Sequence, residues 1–439
     1  MMQSIDLRGR TLDTLALRQL IPRPVVDVAV ASSSARTLID DVAERGEDAL
    51  VEQSERFDGV RPLALRVPQS HIDDAVRSMD PAVRAALEEA IRRVTAASSA
   101  QVPAASRTML GDGAVVEQRW HPVDRVGLYV PGGKAVYPSS VVMNAVPAIV
   151  AGVRSIALAS PAQKEHGGGV HPTILAAAGL LGITEIYAMG GAGAIGAFAH
   201  GVPSIGLSPV DVVTGPGNVF VAAAKRLVKG LVGIDSEAGT TEILVIADES
   251  ADPRLVAFDL VSQAEHDEAA ASLLVTDSET LARAVTEVLP SVAAGTAHSE
   301  RVRTALAGPQ SAVVLVDDLS AAAAFSNVYG PEHLELQVAD NDALLSDIHS
   351  AGAVFVGPHS PVSLGDYLAG SNHVLPTGGG ARFASGLGAF TFLRPQQIVR
   401  YSGPALSEVA DHIVALSLAE ALPAHGEAVT ARFTPPHAD

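Results

Sequence analysis

From about residue 125 the chain alternates short β-branched apolar runs with longer alanine-rich stretches of helical period. VGLYV, SIALAS, EIYAM and VDVVTG read as strands. Helices are predicted to open near Ser139 and Ser140 and to cover ILAAAGLLG and VFVAAAKRLVKG. Past Gly239 the alternation resumes in EILVIAD, SLLVTD, SAVVLVDD, HLELQV and AGAVFVG. Strands covered on both faces show such near-continuous apolar runs, so the repeated βα units predict mostly parallel sheets with helices on either side. Residues 30–125 read as helical, with a charged amphipathic middle (SMDPAVRAALEEAIRRVTAA), and PAQKEHGGGV at 161–170 reads as an exposed loop. From about 388 the pattern changes to a polar stretch, a helix near 405–421 and a short charged end. No internal repeat is visible.

Composition narrows the possibilities. The chain has 439 residues, too many for one compact core, and its length suggests about three structural units. With 48% hydrophobic and 18% charged residues it can bury a large interior, which argues against disorder. The net charge of −19 argues against nucleic acid and anionic membranes as partners; it suits a cationic substrate and equally suits simple solubility. MMQSIDLRGR carries no apolar signal core, and the longest apolar run, VVMNAVPAIVAGV, is broken by Asn144 and Pro147, so the expected location is cytoplasmic. There is no cysteine. That excludes disulfides, thiolate metal sites and covalent chemistry through a thiol.

Seven short motifs carry potential chemistry, and each also has an ordinary structural reading. Tyr129-Val130-Pro131-Gly132-Gly133-Lys134 follows a strand, where backbone N–H groups and a lysine suit a phosphate; it is equally an ordinary βα turn. Gly191-Ala192-Gly193-Ala194-Ile195-Gly196 formally matches a dinucleotide fingerprint, with Asp211 at a ribose-like distance, but 39 glycines make chance matches easy. Asn218, after Gly215-Pro216-Gly217, sits where it can cap a helix or present its amide to a cofactor. Gln263 and His266 share a helical face in SQAEHDE, half of a metal site. Glu332-His333 stands at a strand entrance, which suits proton transfer. Gly365-Asp366-Tyr367 with His373, and Glu420 with His425, lie in irregular glycine- or proline-marked backbone, where functional side chains and solvated polar ones both occur.

In series, YVPGGKAVYPSSVVMNAVPA, GPGNVFVAAAKRLVKGLVGID, SQAEHDE, GPEHLEL, GDYLAGSNHVLPT and LAEALPAH resemble the histidinol dehydrogenase family in order along nearly the whole chain. The resemblance implies an α/β fold of two Rossmann-like βαβ domains with mostly parallel sheets, plus small N-terminal and C-terminal helical extensions. Its implied boundaries are an N-terminal extension at 1–29, a first domain from 30–128 and 243–387 carrying most metal and catalytic residues, an NAD-binding second domain at 129–242, and a tail at 388–439 reaching a partner subunit. It implies a zinc site of Gln263, His266, Asp366 and His425, the last from the partner of a homodimer. Glu332 and His333 are implied as the catalytic pair. Thr241, His373 and Glu420 join His333 and the metal ligands in contacting L-histidinol, while Tyr129, Asn218 and Gly193 contact NAD. Two departures stand out: Gly193 where the family often has Gln, and Thr240-Thr241 where many members have Pro-Ser, the threonine keeping the hydroxyl.

The activity implied is a four-electron oxidation, alcohol to aldehyde to acid, with two hydrides passed to NAD. His333 serves as the base, and, without a thiol to trap the aldehyde, Glu332 activates the added water. A related zinc- and NAD-dependent dehydrogenase of another small polar alcohol is the alternative. A metal-dependent hydrolase is a third reading, and it would form product without NAD.

Overall fold

The computed structural model describes residues 2–10, 13–23, 28–132, 136–237 and 239–433. Chain contacts divide the molecule into two units, Met1–Gln101 with Val123–Phe392, and Val102–Pro122 with Leu393–Asp439.

The first unit holds two sheets, and every strand pair in both is parallel, as the continuous apolar runs predict. The larger sheet runs β1 (Gln3–Asp6), β11 (Ala312–Leu315), β10 (Ala271–Thr276), β9 (Glu242–Ala247), β12 (His333–Gln337), β13 (Ala353–Val356). The smaller runs β6 (Ile186–Ala188), β5 (Ser155–Ser160), β4 (Arg125–Tyr129), β7 (Val212–Thr214), β8 (Gly233–Ile234). Set β1 aside and the two sheets share one doubly wound order, with the winding reversing between β9 and β12 in one and between β4 and β7 in the other. A repeat invisible in the residues is therefore present in the topology.

Burial explains the apolar runs. Every residue of β9 is buried: Ile243, Val245 and Ala247 enter one core while Leu244 and Ile246 enter the core on the opposite face. The helix Pro253–Ala264 returns the chain from the carboxyl end of β9 to the start of β10; it begins with proline and is capped by Asp252, whose side chain accepts from Arg254 N–H.

Between 102 and 122 the structure departs from the helical expectation. The helix Pro81–Ala100 ends, and β2 (Ser106–Gly111) and β3 (Ala114–Pro122) form an antiparallel hairpin. Asp112-Gly113 is the turn, with Gly113 at φ +76°, and this short turn signal outweighs the helical trend of the preceding residues. The polar stretch after 388 likewise contains a strand, β14 (Leu393–Tyr401), paired antiparallel with β3 over nine residues. This sheet and the helices Gly403–Ala419 and Pro423–Thr430 make up the second unit. Its longer helix is apolar in composition, yet Ala405 and Ser417 are its buried residues, and Leu416 and Leu418 are more than 60% exposed. Among the described residues no helix is long and apolar enough to cross a membrane.

Candidate active site

The site residues of the first unit collect at the amino-terminal edge of the larger sheet. β9 and β12 are neighbours with His333 opposite Ile243, so Thr241 and Glu242 at the start of one strand meet Glu332 and His333 at the start of the other. Glu332 Oε2 accepts the Thr241 hydroxyl (2.6 Å) and the Glu242 N–H (2.9 Å). His333 Nδ1 lies 3.1 Å from the Glu242 carbonyl oxygen. A carbonyl can only accept, so Nδ1 carries the proton and Nε2 keeps its lone pair. Burial pushes the Glu332 carboxyl up to about 7, against the lowering pull of its two hydrogen bonds. Burial also holds His333 below the ordinary imidazole range. Near neutral pH the pair thus offers a neutral imidazole and a carboxyl poised between its two forms.

Gln263 and His266 stand at the end of the helix Pro253–Ala264 beside this pair. Gln263 Nε2 donates to Thr241 Oγ1 (2.6 Å), which leaves its Oε1 buried and without a hydrogen-bond partner. His266 Nδ1 donates to the Ser262 carbonyl (3.2 Å), freeing Nε2. Asp366, in the helix Val362–Tyr367, acts electrostatically on Glu332, His333 and His373, and His266 acts on Glu332 and His373. An orphaned amide oxygen, a free imidazole nitrogen and a carboxylate are a donor set that suits Zn²⁺. Among the described residues no three His, Cys, Asp or Glu side chains cluster as a metal set. His425, the fourth expected ligand, is exposed in the helix Pro423–Thr430 of the second unit. Glu420 is exposed at the preceding turn, where Ala421 adopts the left-handed conformation at φ +56°.

His373 bridges the two sheets of the first unit. Its Nδ1 donates to the Asp366 carbonyl (3.0 Å), and its Nε2 therefore accepts from the Ser140 hydroxyl (3.0 Å). Asn372 donates to the Met143 carbonyl (2.6 Å). Ser140 and Met143 belong to the helix Pro138–Ala151, which follows β4, so the carboxyl edge of the smaller sheet adjoins the amino edge of the larger one.

The expected NAD residues lie around the carboxyl edge of the smaller sheet. Tyr129 ends β4; it is buried, and its hydroxyl accepts from Gly191 N–H (3.2 Å) at the start of the helix Gly191–His200. Asn218 caps the helix Val219–Val228, its Oδ1 accepting from Phe220 and Val221. Gly132 is described; Gly133 and Lys134 lie outside the described residues. Gly215 sits at φ +128°, where a Cβ would run into the Tyr129 carbonyl, so only glycine fits. Lys225, fully buried, donates to the Gly215 carbonyl (2.9 Å) and to Asp235, whose other oxygen accepts Gly215 N–H (2.9 Å). At Gly193 a side chain would collide with Gln53, which occupies that space and donates to the Leu38 carbonyl. Asp211 is no ribose ligand for the Gly191–Gly196 segment, which forms the start of the helix Gly191–His200. Asp211 precedes β7 and accepts from the N–H groups of Asp124 and Arg125, at the opposite edge of the sheet.

The residue sequence reasoning missed most plainly is Glu242. Its main chain contacts both Glu332 and His333, and its buried carboxyl accepts from Tyr329 Oη (3.0 Å), Arg23 Nη1 (3.3 Å) and Gly378 N–H (3.1 Å). Burial pushes that carboxyl up to about 7; Arg23 pulls it down and Glu332 raises it further. An acid heading an otherwise wholly apolar strand, EILVIA, is the signal that could have found it.

Comparison with known proteins gives concordant results. Residues 21–433 match the family model described as Histidinol dehydrogenase. The chain is 69% identical over 432 residues to the histidinol dehydrogenase of Leifsonia xyli, covering 98% of this chain and 99% of that one. It is 56% identical over 429 residues to that of Thermobifida fusca, covering 98% and 97%. The crystal structure of histidinol dehydrogenase from Elizabethkingia anophelis superposes with a TM-score of 0.92 at 32% identity, covering 98% of each chain.

Proposed function

The chain belongs to the histidinol dehydrogenase family, and from that premise we propose that it oxidises L-histidinol to L-histidine in the cytoplasm with two equivalents of NAD, in a zinc-bearing site that a second copy of the chain completes. The observation that carries this reading is the Thr241–Glu332–Glu242–His333 arrangement, a buried carboxyl and a neutral imidazole held by shared main-chain and hydroxyl contacts.

In the first oxidation His333 Nε2 takes the proton of the substrate hydroxyl while hydride leaves the carbinol carbon for NAD, giving aldehyde, NADH and one proton. The Glu242 carbonyl, which binds His333 Nδ1–H, steadies the imidazolium that results. Glu332 then takes a proton from water as the water oxygen bonds to the aldehyde carbon, the His333 imidazolium gives its proton to the former carbonyl oxygen, and the neutral gem-diol forms with His333 reset. The gem-diol gives up its hydride to a second NAD while His333 accepts the hydroxyl proton, leaving the acid. Neutral His333 is required in both oxidations, and its burial favours that state.

Gln263, His266 and Asp366 would hold zinc, with His425 from the partner. The fit is supported by the unpartnered Gln263 Oε1 and the tautomer that Ser262 imposes on His266. When bound, the ion would orient the substrate's nitrogen and oxygen donors. Thr241 fixes Gln263 and Glu332 through one hydroxyl and keeps a lone pair for substrate. A dimer is supported by the exposed apolar helix Gly403–Ala419 beside the segment that carries Glu420 and His425. Tyr129, Asn218 and the backbone about Gly193 would form the NAD side. Asn218 has its oxygen engaged in capping, and its amide nitrogen is the group to present.

The test is the stoichiometry of NADH formed per histidinol consumed, with a ratio of two expected, alongside His333→Asn, expected to lower kcat by about 10² or more. A ratio of one, product without NADH, or a His333→Asn variant with parental turnover would refute the reading.

A further inference from the structure

Two more carboxyls, Glu335 buried and Asp259 half-buried, lie beside this site and have no part in the chemistry above. The two-residue repeat of β12 puts His333, Glu335 and Gln337 on one face. On the helix Pro253–Ala264 and its final turn, Asp259, Gln263 and His266 are spaced by four and three, which puts them on one face as well. The faces meet at Gln337, whose Nε2 donates to Glu335 Oε1 (2.8 Å) and to Asp259 Oδ2 (3.3 Å). Glu335 is 1% exposed, and its other oxygen, Oε2, is buried with no donor pointing at it. Asp259 shares the Gln337 donor with Glu335, and each acid is the other's interacting neighbour. Two bare carboxylates in contact in a dry interior repel. A carboxyl that keeps its proton turns the same contact into a short O–H···O⁻ hydrogen bond.

We propose that Asp259 and Glu335 share a single proton, and that this bridge is a positioning device that pins the helix bearing Gln263 and His266 to the strand bearing Glu332 and His333. The direction of titration agrees: burial and the neighbouring acid push Glu335 well above the carboxylate range, and burial raises Asp259 too, so the pair holds a proton at neutral pH. The bridge accounts for the orphaned Oε2, which as the O–H oxygen is the donor of the bond. It also accounts for two acids being kept in an interior where two amides or two leucines would carry less cost. The positioning role rests on the assignment of Gln263 and His333 to the active site; the shared proton does not.

The experiment compares the purified enzyme with Glu335→Gln, which keeps an N–H donor toward Asp259 but cannot ionise, and Glu335→Ala, which leaves Asp259 charged and alone. Infrared spectra are taken at about pH 8, where Glu332 and Glu242, both near 7, are largely ionised. The parent should show the carbonyl band of a protonated carboxylic acid that fades as the pH is raised into the alkaline range, and Glu335→Gln should lack it. In histidinol-dependent NADH formation, Glu335→Gln should lie within about threefold of the parent at that pH. It should fall less than the parent toward about pH 10, while Glu335→Ala raises KM for histidinol by about tenfold or more. A band that persists in Glu335→Gln overturns the shared proton. Equal impairment of Glu335→Gln and Glu335→Ala, or an alkaline decline identical in parent and Glu335→Gln, overturns the positioning role. A parent without histidinol oxidation would instead sink the functional reading, and the infrared comparison would still decide the proton.

Discussion

Replacing Thr241 with valine tests the core of the site with little change of shape. The hydroxyl donates to Glu332 and accepts from Gln263 Nε2, both at 2.6 Å, and valine can do neither. Losing a hydrogen bond to a charged group costs about 1.5–3 kcal/mol, and stranding the buried Gln263 N–H costs roughly 1–3 kcal/mol more. If most of that loss falls on the transition state, about 3–4 kcal/mol at 1.4 kcal/mol per tenfold gives a drop in kcat/KM of roughly 10²–10³. Thr241→Ser keeps the hydroxyl and should stay within about fivefold of the parent. The pH profile supplies a second readout. The Thr241 bond lowers the Glu332 carboxyl, so its loss moves that group further above about 7. In the proposed mechanism Glu332 acts as the carboxylate, so the acid limb of kcat/KM should shift to higher pH in valine and not in serine. NADH absorbance between about pH 6 and 9, with thermal melts to exclude unfolding, measures both effects. A valine variant within threefold of the parent with an unmoved acid limb would show that the hydroxyl organises nothing.

Two predictions concern the smaller sheet. Lys225→Met leaves Asp235 buried and unpaired beneath the Gly215–Asn218 loop; a stability loss of about 3–5 kcal/mol is expected, with KM for NAD rising more than KM for histidinol, and unchanged melting and KM values would refute the clamp. Gly193→Gln drives a side chain into the space held by Gln53, so melting should reveal a cost of about 1–3 kcal/mol that Gln53→Ala relieves in the double variant; additive effects of the two changes would contradict the packing.

The parallel α/β architecture was legible because β9, β10 and β11 are buried along their whole length and carry the apolar runs that such burial demands. The hairpin at 106–122 was not, since β2 is exposed at every position and leaves no alternation to read beyond the Asp112-Gly113 turn. At the site, Glu332-His333 and Gln263 with His266 stood out as compact local pairs. The contacts that give them purpose did not, because Thr241 reaches Glu332 across 91 positions and Arg23 reaches Glu242 across 219. Gly193 shows the same limit. Its neighbour Gln53 comes from another helix, and nothing in either local sequence announces the meeting. The position of the cluster was equally hidden: strand order decides which edge of a sheet carries a site, and no local pattern encodes strand order.

Glu242 has one further consequence. The peptide groups flanking its α-carbon, not its side chain, touch His333 and Glu332, the proposed base and water-activating acid, and every L-residue supplies those same atoms. An alanine scan or saturation library would therefore score position 242 by how well the backbone stays anchored. It would file as mere packing a residue whose amide and carbonyl hold both Glu332 and His333. Exchanging the peptide linkage itself for an ester, by chemical synthesis or an α-hydroxy acid, is the substitution that would expose them.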